Sequence, residues 1–137
     1  MYVYDDGGRK NAGYQGDAGD CVVRAVSIAS GLPYKFVYDR LALGNQESGK
    51  AKSARNGVHI KKKWFKDYMI SLGFKWVATM TIGSGCKVHL KPEELPKGKV
   101  IARVSKHCVA VVDGVIRDTY DSSRDGTRCV YGYWIKE

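Results

Sequence analysis

Residues 106–118 read Lys-His-Cys-Val-Ala-Val-Val-Asp-Gly-Val-Ile-Arg-Asp. Two apolar, β-rich runs flank Asp113-Gly114, a pair suited to the positive φ values of a two-residue hairpin turn. With those two residues as the loop, Val112 faces Val115 and position 109 faces position 118. Side chains alternate along a strand, so His107 and Asp118 share one face and lie one diagonal step apart. At that separation a carboxylate reaches an imidazole and fixes its tautomer. Asp121 is expected to project from the other face. A one-residue slip would turn Asp118 away, so this reading depends on the register.

Outward from the hairpin, short runs rich in Val, Ile, Tyr and Trp predict strands at 75–81, 86–90, 99–104, 107–112, 115–120 and 129–135. Helices precede them. Residues 20–31 read as a buried helix closed by Gly31, and residues 33–44 as a second helix from Pro33 to Gly44. Residues 44–57 are polar and read as a loop. A third helix is expected at 58–72, where Ile60, Trp64, Tyr68 and Leu72 recur every fourth residue and Phe65 and Met69 widen the apolar face. Lys62, Lys63 and Lys66 fall opposite, while Lys61 lies within the apolar arc. Helices first and strands later define an α+β plan, with N-terminal helices packed on a C-terminal antiparallel sheet.

The chain's 137 residues fit one domain, 1–137. Its net charge is +9, and residues 44–66 carry seven Lys/Arg against Glu47 alone, a local net of +6. This basic loop-helix insert is the main charge feature. No segment reaches the ~20 apolar residues that cross a bilayer, so no membrane partner is expected. The first residues, MYVYDDGGRKNAG, lack a signal-peptide pattern, and the cytoplasm is the default compartment. There Cys21, Cys86, Cys108 and Cys129 are expected to be thiols. Cys86 and His89 make only half of a zinc site. No metal or other cofactor is expected.

Cys21 opens the first predicted helix, where free N–H groups and the helix dipole stabilise a thiolate, the attacking form of cysteine. Gln15 lies six residues upstream, with Gly16 and Gly19 between. Its amide, folded back beside the thiol, would join the Cys21 backbone N–H in a two-donor oxyanion hole. Asp20, if its carboxylate stays close, would work against a low thiol pKa.

The run Q-G-x-x-G-x-C, followed by a strand-borne His107 and by Asp118 on the next strand, resembles the papain-like cysteine peptidase superfamily. Gln15, Cys21, His107 and Asp118 match its oxyanion glutamine, nucleophile, base and orienting residue in type and order. The Asp20-Cys21 pair is similar to bacteriocin leader-processing peptidases, and Cys21-Val22-Val23-Arg24-Ala25 to the C-x-x-R-A segment of ovarian-tumour-type deubiquitinases. The layout looks like short papain-like proteins of phage and bacterial genomes. Val22 stands where papain itself has an aromatic residue, and Asp118 where papain has Asn. The resemblance implies a papain-like fold and a thiol hydrolase or acyl transferase acting on the amide or isopeptide bond of a peptide or protein substrate.

A reading from another class is a non-enzymatic papain-like module that binds nucleic acid or an acidic protein. Lys50, Lys52, Arg55, Lys62, Lys63 and Lys66 would meet its charges, with Trp64 and Phe65 nearby to stack a base. Trp64, however, falls on the apolar helix face and is expected in the core. The two readings combine if the basic residues flank the catalytic groove and favour an acidic substrate. In a third reading, Cys86, His89, Cys108 and Cys129 gather as metal ligands. Alternation along the strand instead points Cys108 into the core.

Overall fold

The computed structural model describes residues 1–14, 19–49, 52–55, 57–81 and 83–136 of the chain. In chain order these form β1 (Tyr2–Tyr4), α1 (Cys21–Ser30), α2 (Tyr34–Glu47), α3 (Lys63–Ser71), β2 (Lys75–Ala78), β3 (Lys99–Val104), β4 (His107–Val112), β5 (Val115–Asp118) and β6 (Gly132–Lys136). A single 3₁₀ turn covers Pro92–Glu94. The strands make one sheet in the order β1-β5-β4-β3-β6-β2, so the class is α+β.

Asp113 and Gly114 take φ of 50° and 82°, the left-handed pair that a tight two-residue hairpin turn requires. Val112 therefore pairs with Val115 and Val111 with Ile116, the register expected from the sequence. One edge differs from the fully antiparallel sheet expected: β1 runs parallel to β5, with Tyr4 beside Asp118. Three residues are too few to carry a periodic signal. At Gly7, with φ of 70°, an added Cβ would meet the Arg24 backbone at 3.1 Å. Only a glycine lets the N-terminal segment lie that close to the helix.

The two faces of the sheet bury separate cores. Val23, Val26, Leu41, Phe65 and Met69 of the helices pack with Ile101, Cys108, Ala110 and Trp134. On the opposite face, Val100, Val104, Val109 and Val111 pack with Leu90, Leu95 and Val130. No strand forms over 86–90. That stretch makes an isolated bridge, His89 with Cys129, and Leu90 N–H donates to the Arg128 carbonyl at 2.8 Å. The bridge brings two segments side by side and joins Cys86 to Cys129 in a disulfide, with Cα atoms 5.8 Å apart. The expectation of four thiols is corrected to two, Cys21 and Cys108.

The helix ends also differ from the sequence reading. α1 closes as expected at Gly31, whose φ is 75°. α2 runs through Gly44 to Glu47, because Gly44 ends no helix here and instead seats a ring. A Cβ on Gly44 would lie 2.3 Å from the Trp64 indole, which is held by its N–H donating to Ser48 Oγ at 2.5 Å. α3 starts at Lys63 rather than residue 58. Asn45 Nδ2 donates to the Ser53 and Gly57 carbonyls at 2.8 and 2.9 Å and Asn45 Oδ1 accepts from His59 N–H at 3.1 Å, which ties the chain ahead of α3 into a loop, and Lys62 is extended with ψ of 148°. The basic segment is thus divided between the end of α2, a connecting loop and the start of α3. Among the described residues, no helix is long and apolar enough to cross a membrane.

Gly44→Ala tests the ring seat. Alanine favours a helix by about 1 kcal/mol over glycine, but overpacking against Trp64 costs about 1–3 kcal/mol. A lowered thermal midpoint is expected; a raised one would show that the indole moves freely.

Candidate functional site

α1 places Cys21 at its first position, half-buried, and β4 places His107 at its own start. The Cys21 amide N–H has no hydrogen-bond partner among the described residues, as befits a first-turn donor. His107 Nε2 donates to Asp118 Oδ2 at 2.6 Å, the contact expected from the hairpin register. The Tyr120 ring lies against the imidazole, with centroids 5.4 Å apart. Asp121 takes no part in that contact. Its carboxylate accepts from Ser123 N–H at 3.1 Å and from Ser123 Oγ at 2.7 Å. Gln15 lies outside the described residues.

Asp118 is 2% exposed, and its Oδ1 accepts from Thr119 N–H at 2.7 Å and from Arg24 Nη2 at 3.3 Å. Arg24 also bonds Asp20, one helical turn earlier. The Asp20 carboxylate does not cap α1. It is 1% exposed and held by Arg24, by the Tyr34 hydroxyl and by Arg9 Nη1 at 3.1 Å. Arg9 in turn donates to Tyr34 Oη at 2.7 Å. The expected conflict between Asp20 and a Cys21 thiolate is therefore answered by two arginines that neutralise the carboxylate.

These surroundings set the protonation states. A hydrogen bond with the Cys108 thiol is the largest influence on Cys21; with the neighbouring His107 it outweighs burial and holds the Cys21 thiol down to about 4. Burial alone would lower His107, but its bonds to Asp118 and Cys21 carry it up to about 9. Burial pushes Asp118 up, but His107, the Thr119 N–H and Arg24 together hold it below the usual carboxylate range. The Cys21 contact, with burial, pushes Cys108 well above an ordinary thiol. Between about 4 and about 9 the site therefore holds a thiolate beside an imidazolium.

Arg24 and Cys108 are the neighbours that residue-by-residue reading left out of the site. The Asp20–Arg24 spacing of i,i+4 was a visible signal. Cys108 does lie in the core, as alternation suggested, but Cys21 enters the same core layer from α1. Cys86, His89, Cys108 and Cys129 do not converge, since Cys86 and Cys129 are bonded to each other and His89 bonds Glu94 at 3.2 Å.

The basic residues are scattered. Lys50 lies outside the described residues. Lys52 borders a surface hollow with Tyr38, Asp39, Ala42 and Leu43. Lys63 pairs with Asp67 at 2.7 Å, and Arg55 and Lys62 are exposed. Lys66, with Lys61, lines an apolar groove of about 670 Å³ that Val22 and Cys108 also border. A polar cavity of about 480 Å³ is bounded by His107, Tyr120, Ser122 and Arg128, among others.

Two measurements check this geometry. Iodoacetamide alkylation of Cys21 should rise as pH climbs through about 4 and then level off. His107→Ala should move that rise several-fold in proton concentration toward an ordinary thiol; a wild-type rise only near pH 8.5 would contradict the ion pair. Arg24→Met takes one cation from each of the buried Asp20 and Asp118 carboxylates and should cost about 3–5 kcal/mol in urea unfolding. Searches with family models, curated proteins and solved structures find no match to this chain.

Proposed function

We propose that the chain is a thiol hydrolase of amide bonds, a cysteine peptidase of papain-like type. The observation that carries this reading is the His107–Asp118 hydrogen bond of 2.6 Å beside a thiol at a helix start. With Nε2 committed to Asp118, Nδ1 is the imidazole nitrogen left to exchange a proton with Cys21. The Cys21 thiolate attacks the amide carbonyl carbon, forming a C–S bond while the carbonyl electrons move to oxygen. The free Cys21 N–H supports that oxyanion, and the resemblance assigns Gln15 as the second donor. Collapse breaks the C–N bond as the His107 imidazolium gives its proton to the leaving amine. His107, now neutral, takes a proton from water, and the hydroxyl oxygen displaces the thiolate to release a carboxylic acid. An amine in place of water gives acyl transfer with the same groups.

Asp118 stays ionised throughout and holds the imidazolium in position. Arg24 keeps Asp118 oriented and charged without touching the reacting atoms, which makes it a positioning residue. A nucleic-acid reader finds less support, since Lys63 is spent on Asp67 and the Trp64 indole is packed over Gly44.

The test is an acyl-enzyme burst. Mixed with p-nitrophenyl acetate, the protein should release one equivalent of nitrophenol quickly and gain one acetyl group on Cys21 by mass. Cys21→Ala and His107→Ala should lower the burst rate by on the order of 10³-fold or more. A burst that survives Cys21→Ala, or acetylation elsewhere with Cys21 untouched, would sink the proposal.

A further inference from the structure

The groove of about 670 Å³ combines an apolar floor with a cationic lining. Its floor is apolar, built from Phe65, Phe74, Ile101 and Trp134, each under a tenth exposed. Four cations, Lys61, Lys66, Lys75 and Arg103, also line it, and among the described residues no Asp or Glu does. Among the described residues, none of these four has a carboxylate within ion-pair distance. Arg103 is half-buried and sits directly across the β3–β4 ladder from Cys108. A guanidinium partly withdrawn from water with no counter-ion is costly, and its fork geometry suits a carboxylate.

The groove reaches the chain neighbours of the reacting pair. Val22 follows Cys21 in α1 and Cys108 follows His107 in β4, and both side chains border the groove. The polar cavity, by contrast, is bordered by His107, the group that must protonate the leaving amine. The leaving group therefore belongs on the His107 side and the acyl portion on the groove side.

We propose that this groove is the acyl-side recognition site of the hydrolase, taking a bulky apolar side chain while Arg103 and the lysines bind a carboxylate on the adjoining residue. The assignment rests on the thiol-hydrolase reading above. The substrate class is an acidic peptide with an aromatic or branched apolar residue beside its Asp or Glu. A volume in the range of small-ligand pockets accommodates such a two-residue unit. Trp76, 38% exposed, stands at the lip and supplies further apolar contact.

Binding to the Cys21→Ala variant isolates recognition from chemistry. The probes are the blocked peptides Ac-Asp-Phe-Gly-NH₂, Ac-Lys-Phe-Gly-NH₂ and Ac-Asp-Gly-Gly-NH₂, titrated by tryptophan fluorescence, since Trp76 and Trp134 both line the groove. The Asp-Phe peptide should bind at least tenfold tighter than either of the others, and added salt should narrow its margin over the Lys-Phe peptide. Arg103→Gln should erase that margin. The exposed double change Lys66→Gln with Lys75→Gln should reduce it about threefold, and it removes no buried contact that folding needs. Equal dissociation constants for the three peptides, or a margin untouched by both variants, would overturn the inference. If these results hold while the ester burst fails, the groove stands as a recognition site and the hydrolase reading falls. If the burst succeeds and the peptides bind alike, the groove assignment alone falls.

Discussion

Arg24 lies between two carboxylates that are themselves almost wholly out of water, Asp20 and Asp118. Charges so placed are stable only when paired and hydrogen-bonded, because desolvation costs several kcal/mol per ion. Here Arg9 and Arg24 meet Asp20, and Arg24 and His107 meet Asp118. With Cys21 as thiolate and His107 as imidazolium, the set holds three positive and three negative groups. Passing the Cys21 proton to His107 keeps the cluster neutral, two cations against two anions before the transfer and three against three after it. The ordering of α1, the start of β4 and the end of β5 all depend on this one ionic cluster.

The cluster also explains why the N-terminal segment is where it is. Arg9 comes from a turn-rich stretch without regular structure, yet it is buried and packed over the Tyr14 and Tyr34 rings at 5.7 and 5.9 Å. β1 adds to the same edge, where Tyr2 Oη and Asp5 N–H both donate to the Asp118 carbonyl at 3.0 and 2.9 Å. The residue that orients His107 is therefore fixed twice, by its side chain and by its backbone. The support of the site is drawn from the first 34 residues as much as from the sheet.

Much of this was legible in the sequence where local rules act alone. Asp113-Gly114 determined a turn, the turn determined a register, and the register brought His107 to Asp118. Gly31 closed α1 for the same kind of reason. Features set by long-range contact were not legible. β1 is three residues long and needs β5 to exist at all. Gly44 looks like a helix stop until Trp64, twenty residues later, is seen to occupy the space a side chain would fill. The Cys86–Cys129 bond depends on which two of the β-rich segments lie side by side, and a run of residues does not name its partner. The position of Asp20 was plain, but its partner Arg9 comes from a stretch that no periodicity marks.

That disulfide has a consequence for the order in which the molecule can come apart. It closes a ring over 43 positions of sequence that contains β3, β4 and β5, and so His107 and Asp118, while Cys21 lies outside. Closing a ring of this size removes chain entropy from the unfolded ensemble worth about 4 kcal/mol. The two halves of the site therefore have unequal freedom once native contacts are lost. The histidine and aspartate remain in a tethered loop, and the cysteine is carried off on an open chain end.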